Sequence, residues 1–444
     1  MMEGWKEVTI GDLGQVVTGK TPSTKEKKYF DGKYQFISPK DLGDDSRYIN
    51  NTLTTITELA IEKFKNQVLP KNSIFFTSLS YGFGKMGIAK DICLTNQQIH
   101  SIVANPEVSD FNFVYYLLRY NTSLIRSHDA GIVTPIVPKS IFCKIKINLP
   151  PLKTQRKIAS ILSAYDDLIE NNLKRIKLLE EQAQLTYEEW FVRFKFPGHE
   201  TTKFNEETGL PEGWEKGKIE DYFKTSSGGT PSRKKIKEYY TNGNINWVKT
   251  KELLGSFIFD TEEKITEKGL NNSSAKLFPA NTILIGMYGG VHGEGRKSTL
   301  GQLGIITKPS TSNQACCAFL KKEGINYSVP YLFYYLKSKQ KQLLNISMGA
   351  AQQNISQSMI KKFPFILPNK DVYDRFDEQV SLLFSSIIVL HKQNQHLKEA
   401  RDILLPRLMS GMINVEKLDV GSLKYEVNDS LGMVAEDIEK YKRA

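Results

Sequence analysis

Cysteines and long hydrophobic runs are scarce in this sequence of 444 residues. So few cysteines argue against a disulfide framework, and no C-x-x-C pair occurs among Cys93, Cys143, Cys316 and Cys317. The six histidines do not cluster with the cysteines, so the sequence indicates no zinc site. The most apolar stretch, residues 380–390, is too short to span a bilayer. The N-terminus lacks the apolar core of a signal peptide, and we expect a cytoplasmic protein.

Catalytic motifs are missing as well. The glycine-rich segments 82–87 and 289–295 have neither the Walker nor the Rossmann spacing. The nearest approach to the Asn-Pro-Pro-aromatic loop of amino-methyltransferases is Asn148–Pro151, but Leu149 interrupts it and no aromatic residue follows. Glu262–Lys264 contains the E-x-K of some nucleases without an upstream acidic partner, which is typical of a solvated charge run. We therefore expect no catalytic residue, no metal and no cofactor in this chain.

Positive charge is what the chain has in excess. Lys and Arg number 60 against 49 Asp and Glu, which gives a formal net charge of +11 and a pI near 9.1. Basic side chains displace the counterions condensed on phosphates, so this excess favours a nucleic-acid partner. A basic protein that binds no polyanion can have the same composition, and charge alone leaves both interpretations open.

An internal duplication is the strongest feature of the sequence. Short segments recur in the same order, with offsets between 209 and 219 residues, as loop insertions would cause. The matching pairs begin at Gly4 and Gly213 (GW), Gly19 and Gly228 (GKTPS and GGTPS), Leu69 and Phe278, Thr95 and Ser312, Phe113 and Leu332, Thr134 and Gln353, and Asn148 and Ile366. Chance explains a preserved order poorly, so we predict two structurally equivalent copies.

Each copy combines a globular part with a long helix. The globular parts mix short β-rich runs and turn clusters with one amphipathic helix, near residues 112–120 and 329–337. They therefore predict two mixed α+β domains of a common size. The predicted segments are a first domain at 1–150, a long helix at 151–196, a second domain at 205–368, a second long helix at 369–412 and a mixed-charge tail at 413–444.

The two long helices carry apolar seams. Their steps alternate between three and four residues, which is the heptad period of coiled coils. The first seam is Leu162, Tyr165, Ile169, Asn172, Ile176, Leu179, Ala183, Thr186 and Trp190. The second is Tyr373, Phe376, Val380, Leu383, Ile387, Leu390, Asn394, Leu397, Arg401, Leu404 and Leu408. We predict an antiparallel coiled coil in which Asn172 and Asn394 fix the register. Two helices packed separately on their own domains are the alternative.

Four kinds of polar loop recur in the two copies. The TPS loops carry Lys20, Thr21, Ser23, Lys25, Lys27 and Lys28 in the first copy, and Thr230, Ser232, Arg233, Lys234 and Lys235 in the second. The glycine loops carry Ser80, Tyr81 and Lys85, and then Tyr288, His292, Arg296 and Lys297. The amide loops carry Gln97 and Gln98, and then Gln314. The fourth loops carry Thr134 and Lys139, and then Gln352, Gln353 and Asn354.

These loops have the chemistry that DNA recognition needs. Basic and hydroxyl groups, as in the TPS loops, bind phosphates and position a protein on the duplex. Amides such as Gln97, Gln98 and Gln314 can pair bidentately with adenine. Any single loop is as typical of an ordinary turn. The copies agree in framework but differ inside these loops, which favours one scaffold that carries two DNA specificities.

The sequence resembles a known family, the specificity subunits of type I restriction–modification systems. The resemblance covers residues 4–412 and rests on the GW and G-x-TPS openings, the LPP-x-x-x-QRKI start of the first long helix and the closing segment Arg401–Gly411. It implies two target-recognition domains that each read one half of a bipartite DNA site. It also implies two methyltransferase subunits as partners, which carry S-adenosylmethionine and modify adenine, and a restriction subunit that can join them.

One segment departs from the family pattern, and two other function classes stay open. Asn369–Val372 stands where a PL-x-x-Q stretch is expected before the second helix, which weakens the resemblance there. A stand-alone two-domain DNA-binding regulator would bind DNA tightly without a partner. A nuclease or methyltransferase of another kind would show metal- or cofactor-dependent activity as a pure chain.

Overall fold

The chain divides into two compact units. The computed structural model describes residues 4–43, 46–79, 82–129, 136–289, 298–325, 328–347 and 354–418. The first unit contains the chain up to Arg175 together with the segment that begins at Leu390, and the second contains Ile176–Val389. Each unit thus holds one copy of the duplicated sheet region and a part of each long helix.

The first copy is built from three small sheets. Its strands are β1 (Lys6–Thr9), β2 (Gly14–Thr18), β3 (Phe30–Ile37), β4 (Tyr48–Ile49), β5 (Thr54–Ile56), β6 (Ile74–Thr77), β7 (Met86–Ala89), β8 (Cys93–Thr95), β9 (Ile99–Ala104) and β10 (Lys146–Leu149). The sheet orders are β2-β9-β6-β7-β4, β5-β3-β8 and β1-β10. The helices are α1 (Glu58–Lys63), α2 (Phe111–Tyr120), α3 (Thr122–Ser127), α4 (Lys139–Phe142) and the long α5 (Leu152–Tyr187), which ends in a π-helical turn at Glu188–Val192.

The second copy repeats these sheets. Its strands are β11 (Glu215–Lys218), β12 (Phe223–Ser227), β13 (Ile245–Val248), β14 (Phe257–Ile258), β15 (Lys264–Ile265), β16 (Ile283–Gly286), β17 (Leu303–Ile306), β18 (Thr311–Ser312), β19 (Cys316–Lys321) and β20 (Pro364–Leu367). The sheet orders are β12-β19-β16-β17-β14, β15-β13-β18 and β11-β20. The helices are α6 (Ile219–Tyr222), α7 (Ile236–Tyr239), α8 (Glu267–Asn271), α9 (Val329–Ser338), α10 (Gln340–Ser347), α11 (Gln357–Lys362) and the long α12 (Lys370–Met409).

The strand registers of the two copies are equivalent. In the antiparallel pair β2–β9, Gly14 faces Ala104, and in β12–β19, Phe223 faces Lys321. These partners are the ones that the offsets of 209 and 217 residues predict. Shifting a strand by one residue would turn its apolar side chains to the other face, so a preserved register also preserves the core. The predicted duplication and the α+β class are confirmed.

The predicted amphipathic helices are α2 and α9, which cover the equivalent sheets. Asp110 caps α2 by accepting a hydrogen bond from the backbone N–H of Phe113 over 3.0 Å, and Ser328 caps α9 in the same way from Tyr331 over 3.1 Å. Short polar side chains at this position satisfy backbone donors that the first helical turn leaves free. The apolar faces of both helices are buried, in α2 from Phe113 onward.

The members of the two predicted seams are all buried or half-buried. The buried members of the two seams include Leu162, Ile169, Ile176 and Ala183 in α5, and Val380, Ile387, Asn394, Arg401 and Leu408 in α12. At the end of the first seam, the neighbouring Tyr187 and Phe191 are buried while the seam members Thr186 and Trp190 are half-buried. There the ring of Phe191 packs 4.8 Å from that of Tyr331 in α9, so the end of this helix also packs on the second copy.

Within the first unit, α5 and α12 are paired through polar groups. Asn172 Nδ2 donates to Asn394 Oδ1 over 2.9 Å, and Asn394 Nδ2 donates to the carbonyl of Ile169 over 3.5 Å. Nearby, Arg401 Nη1 donates to Asp166 Oδ1 over 2.5 Å, and both side chains are buried. Positions rise along α5 as they fall along α12, which makes the pair antiparallel. This contact agrees with the predicted role of the two asparagines.

Within the second unit, aromatic side chains pair the same two helices. The rings of Tyr187 and Phe376 lie 6.2 Å apart, and those of Trp190 and Phe376 lie 5.8 Å apart. Here a late position of α5 meets an early position of α12, which is again an antiparallel arrangement. Such ring pairs stabilise a contact beyond the apolar area that they bury.

The second long helix begins within the segment that departs from the family pattern. Its contact with α9 matches that of α5 with α2 in the first copy, but a different side chain makes it. In the first copy the buried Gln155 accepts a hydrogen bond through Oε1 from the backbone N–H of Asp110 over 2.9 Å. In the second copy the hydroxyl of Tyr373 accepts from the backbone N–H of Ser328 over 2.7 Å. Both contacts join the start of a long helix to the N-cap of α2 or α9. The departure at Asn369–Val372 therefore leaves this junction in place.

Candidate nucleic-acid interface

The TPS loop and the amide loop meet in each copy. Thr21 Oγ1 donates to Gln97 Oε1 over 2.6 Å, and Thr230 Oγ1 donates to Gln314 Oε1 in the second copy. The sequence presents these residues as parts of separate loops, 76 residues apart in the first copy. The parallel pairing of β3 with β8, and of β13 with β18, carries the amide loop back to the same place.

The amide loop is in turn bonded to the chain just before the glycine loop. The backbone N–H of Ser78 donates to the carbonyl of Gln98 over 2.9 Å. In the second copy the N–H of Met287 donates to the carbonyl of Ala315 over 2.8 Å. These four residues match pairwise across the duplication, so both copies use one backbone connection here.

The glycine loop is bonded to the fourth loop. Leu79 and Ile136 form an isolated β-bridge in the first copy, and Tyr288 and Asn354 form the equivalent bridge in the second. The described parts of the four loops are therefore linked into one polar face in each copy, in the order TPS, amide, glycine and fourth loop. The sequence predicted the individual loops, and the structure shows the connections between them.

Two glycines explain why the TPS loop lies so close to the amide loop. A Cβ at Gly19 would lie 2.1 Å from the carbonyl oxygen of Asn96, and one at Gly228 would lie 2.1 Å from that of Ser312. No side chain fits at that distance, so the first residue of the G-x-T-P-S motif must be glycine. Pro22 is buried after the turn, as its counterpart is in the second copy. The motif therefore folds the loop against its neighbour.

In the first copy, His100 connects two strands and the fourth loop through hydrogen bonds beneath the surface. The side chain is buried, with Nε2 2.9 Å from the carbonyl oxygen of Val137 and Nδ1 3.1 Å from Thr18 Oγ1. Burial lowers the pKa of His100 below its usual value, and the nearby Lys139 acts in the same direction. A neutral, buried imidazole that joins β9 to the fourth loop is a structural group.

In the first copy, the lysines of the TPS loop differ in their contacts. Lys20 lies 5.8 Å above the ring of Phe64, and Lys28 forms an ion pair with Glu26 over 2.8 Å. Lys25 and Lys27 are exposed, and within the described ranges neither forms an ion pair that would occupy its ammonium group. Lysines that are free of carboxylates are best able to contact phosphates.

In the second copy, Arg233 is held by its surroundings. It lies 4.4 Å above the ring of Tyr240 and 5.0 Å above that of Trp247, and Nη2 contacts Glu263 over 2.6 Å. Glu263 also contacts Lys249 over 2.6 Å. Burial works against the charged carboxylate, but hydrogen bonds from the two cations hold the pKa of Glu263 below its usual value.

The predicted charge run Glu262–Lys264 is therefore not a plain solvated segment. Glu263 is tied to Arg233 and Lys249, and it anchors the TPS loop to the sheet edge. Lys234 and Lys235 remain exposed beside this anchor, with Lys235 lying 5.3 Å above the ring of Tyr239. The exposed Ser232 lies on the same turn.

The remaining predicted residues are placed unevenly. Lys85 and Lys139 are exposed, Lys85 Nζ lies 3.4 Å from the carbonyl oxygen of Pro39, Tyr288 is 44% exposed and Asn354 is half-buried. Gln98 is half-buried and accepts a hydrogen bond from Asn96 Nδ2 over 3.2 Å. The predicted residues that lie outside the described ranges are Ser80, Tyr81, Thr134, His292, Arg296, Lys297, Gln352 and Gln353.

The described ranges contain neither a metal-binding cluster nor a helix that could span a membrane. No group of three or more His, Cys, Asp or Glu side chains there is arranged to hold a metal ion. In the same part of the chain, no helix is both long enough and apolar enough to cross a membrane.

Comparisons with known proteins match both copies. A sequence profile described as the type I restriction modification DNA specificity domain matches residues 2–181 and again residues 211–394. The chain is 30% identical over 419 residues to the type I restriction enzyme MjaIX specificity subunit of Methanocaldococcus jannaschii, which covers 93% of this chain and 94% of that protein. It is 24% identical over 483 residues to the type I restriction enzyme HindI specificity subunit of Haemophilus influenzae, covering 93% and 100%.

A solved structure has the same fold. The S subunit of a type I restriction–modification system from M. genitalium superposes with a TM-score of 0.56 at 16% sequence identity. The superposition covers 91% of this chain and 96% of that one, so the similarity extends over both copies and the long helices.

Proposed function

Because this chain belongs to the specificity-subunit family of type I restriction–modification systems, we propose that it reads a bipartite DNA target, one half with each copy. The observation that carries the proposal is the linked polar face, which has one backbone plan in both copies and different side chains in its loops. An equal framework places both faces on DNA in the same way, while different loop chemistry selects different bases. Lys25 and Lys234, at matching positions of the TPS loops, would contact phosphates.

The proposal assigns the long helices to partner binding. Leu168 on α5 and Leu382, Val389 and Ile403 on α12 are large apolar side chains exposed on the helices. Exposed apolar residues on helices with charged neighbours suit an interface with another protein. The partners would be two methyltransferase subunits that carry S-adenosylmethionine and modify adenine, and a restriction subunit can join them. Such a complex would work on DNA in the cytoplasm.

The proposal gives this chain no catalytic step. It binds and positions DNA, and the partner subunits supply the cofactor and the methyl transfer. A stand-alone DNA-binding regulator is the second candidate, and it differs in one measurable respect. A regulator binds its site tightly as a pure chain, whereas a specificity subunit needs its methyltransferase partner.

Reconstitution with the methyltransferase subunit from the same cell tests this function. The chain alone, the partner alone and the complex are each incubated with labelled S-adenosylmethionine and genomic DNA. We expect label in DNA from the complex only, at sites that share one bipartite sequence. Label transfer by the chain alone would contradict the non-catalytic role. Tight, sequence-specific binding by the chain alone, with no effect of the partner, would favour the regulator.

A further inference from the structure

The hydrogen bond between the TPS loop and the amide loop constrains a glutamine side chain. In each copy a threonine hydroxyl donates to the carbonyl oxygen of that amide, from Thr21 to Gln97 and from Thr230 to Gln314. The threonines occupy the third position of G-x-T-P-S, and each glutamine lies in the turn that follows β8 or β18. The same side-chain contact thus occurs twice, on loops whose other residues differ.

The contact leaves each amide with its donors free. Within the described ranges, Nε2 of Gln97 and Nε2 of Gln314 have no hydrogen-bond partner, and both side chains are exposed. An amide nitrogen carries two N–H donors, while the carbonyl oxygen is the acceptor of the group. With one of the two acceptor positions of the oxygen taken by a hydroxyl, the group has two free donors and one remaining acceptor position.

Base edges differ in whether they can use such a group. Guanine presents two neighbouring acceptors, N7 and O6, in the major groove, whereas adenine presents the acceptor N7 beside the donor N6. A glutamine that pairs bidentately with adenine must accept from N6 through its carbonyl oxygen. That oxygen already accepts from Thr21 or Thr230, which disfavours the adenine pairing expected from the sequence.

We propose that Gln97 and Gln314 each read a guanine, through amide donors that Thr21 and Thr230 orient. The inference rests on the proposed function, because it assumes that the polar faces meet the major groove. The threonines are positioning residues and do not themselves contact the base. Each copy therefore requires one guanine in its own half-site.

The loop is built to hold this arrangement. Backbone hydrogen bonds hold the TPS loop beside the amide loop, from the N–H of Gly19 to the carbonyl of Ile99 over 3.2 Å and from the N–H of Gly228 to that of Cys316 over 3.3 Å. In the second copy the hydroxyl of Tyr240 also donates to the carbonyl of Pro231 over 2.6 Å. A group whose supporting residues are fixed loses little conformational freedom when it binds. The close approach of the two loops and the side-chain hydrogen bond explain why the motif recurs with glycine and threonine.

Single substitutions in one copy test the inference in the assembled complex. The readout is the methylated DNA motif, determined by sequencing genomic DNA from cells that carry each variant with the partner subunits. Thr21→Val removes the hydroxyl and frees Gln97 Oε1. We expect discrimination of guanine against adenine to fall by about 5- to 150-fold at one position of one half-site, which corresponds to one bidentate contact. The second half-site should keep its sequence.

Matched controls separate orientation from general damage. Thr21→Ser keeps a hydroxyl and should keep the motif. Thr24→Val changes an exposed threonine of the same loop for which no side-chain hydrogen bond occurs within the described ranges, and it should also keep the motif. Thr230→Val should relax one position of the other half-site. Gln97→Ala leaves the TPS loop unaltered. It should relax the same base position of the methylated motif that Thr21→Val relaxes.

Two results would overturn the inference. A motif that Thr21→Val leaves unchanged, while Gln97→Ala makes one position degenerate, would mean that threonine does not orient the amide. A motif that Gln97→Ala also leaves unchanged would mean that the glutamine reads no base. If Thr21→Val stopped methylation, Gln97→Ala and Thr230→Val would decide by the same criteria. A wild-type complex that methylates no chain-dependent motif would instead contradict the proposed function.

Discussion

Lys25 and Lys234 occupy matching positions of the two TPS loops, and both are exposed. We predict that changing either to alanine weakens binding of the complex to all DNA sequences. The plot of log affinity against log salt concentration should flatten by about 0.9 unit for each lost phosphate contact. The measurement is a salt titration of DNA binding on specific and unrelated duplexes.

Lys28→Ala is the matched control for this prediction. Lys28 already contacts Glu26 over 2.8 Å, so its loss should change the salt slope less than the loss of Lys25. If Lys25→Ala altered base preference and left the salt slope unchanged, the assignment of this loop to phosphates would be wrong.

At the scale of single residues, the sequence predicts residue types better than their partners. It predicted Thr21 and Gln97 as polar loop residues, but not that one holds the other, because their contact depends on the pairing of distant strands. Glu263 looked like part of a solvated run for the same reason, since its cations come from other parts of the chain. Side-chain contacts across a sheet edge have no local sequence signal.

Among the elements, the pair of long helices contains a buried ion pair within the first unit. Arg401 and Asp166 are both buried, and the hydroxyl of Tyr116 also donates to Asp166. Arg401→Met would leave the carboxylate without its cation, which costs about 3–5 kcal/mol in unfolding free energy. Urea unfolding of the purified chain measures this loss.

Two further variants make that prediction specific. The double variant Arg401→Met with Asp166→Asn should recover part of the stability, because no buried charge is left unpaired. Lys370→Met breaks an exposed ion pair with Asp374 near the start of α12 and should lower the unfolding free energy far less than Arg401→Met does. If Lys370→Met and Arg401→Met lowered the unfolding free energy equally, burial of the Arg401–Asp166 pair would not contribute to stability.

The proposal also treats α5 and α12 as the spacer that sets the gap between the two half-sites. One heptad inserted into both helices adds about 10 Å along the helix axis. That equals roughly three base pairs at about 3.4 Å each, and tilt of the helices and DNA bending reduce it, so we expect a gap longer by about one to three base pairs. The half-site sequences should stay the same.

The matched positions for the two heptad insertions follow from contacts between α5 and α12. Glu180 of α5 and Ile387 of α12 line the same small cavity within the second unit, so matched insertions follow Leu179 and Ile387. They leave the bond between Asn172 and Asn394 intact. Sequencing of the methylated motif reads the result, and changed half-site bases with an unchanged gap would show that the helices are not the spacer.

The pattern of the elements was largely predictable. The heptad period identified both long helices because a buried stripe leaves a periodic signal in the sequence. Thr186 and Trp190 are only half-buried, because α5 packs there on α9 as well as on α12. The contact of Tyr373 with Ser328 could not be predicted either, because a tyrosine hydroxyl replaces a glutamine amide in the same junction.

For the whole molecule, the duplication carries the functional argument. Two copies with one strand register and one set of loop connections place two equivalent loop faces in a single chain. The order of repeated segments predicted this from the sequence, because a drifting offset with a preserved order is the mark of duplicated domains. The bases that each face selects depend on contacts with DNA, which composition and periodicity do not encode.

The central claim is that this chain decides where a partner methyltransferase acts. The direct measurement is adenine-methylation sequencing of the native cells with the gene intact, deleted and restored on a plasmid. We predict one bipartite motif that is methylated in the intact strain, unmethylated in the deletion strain and methylated again on restoration. An identical set of methylated motifs in all three strains would contradict the account.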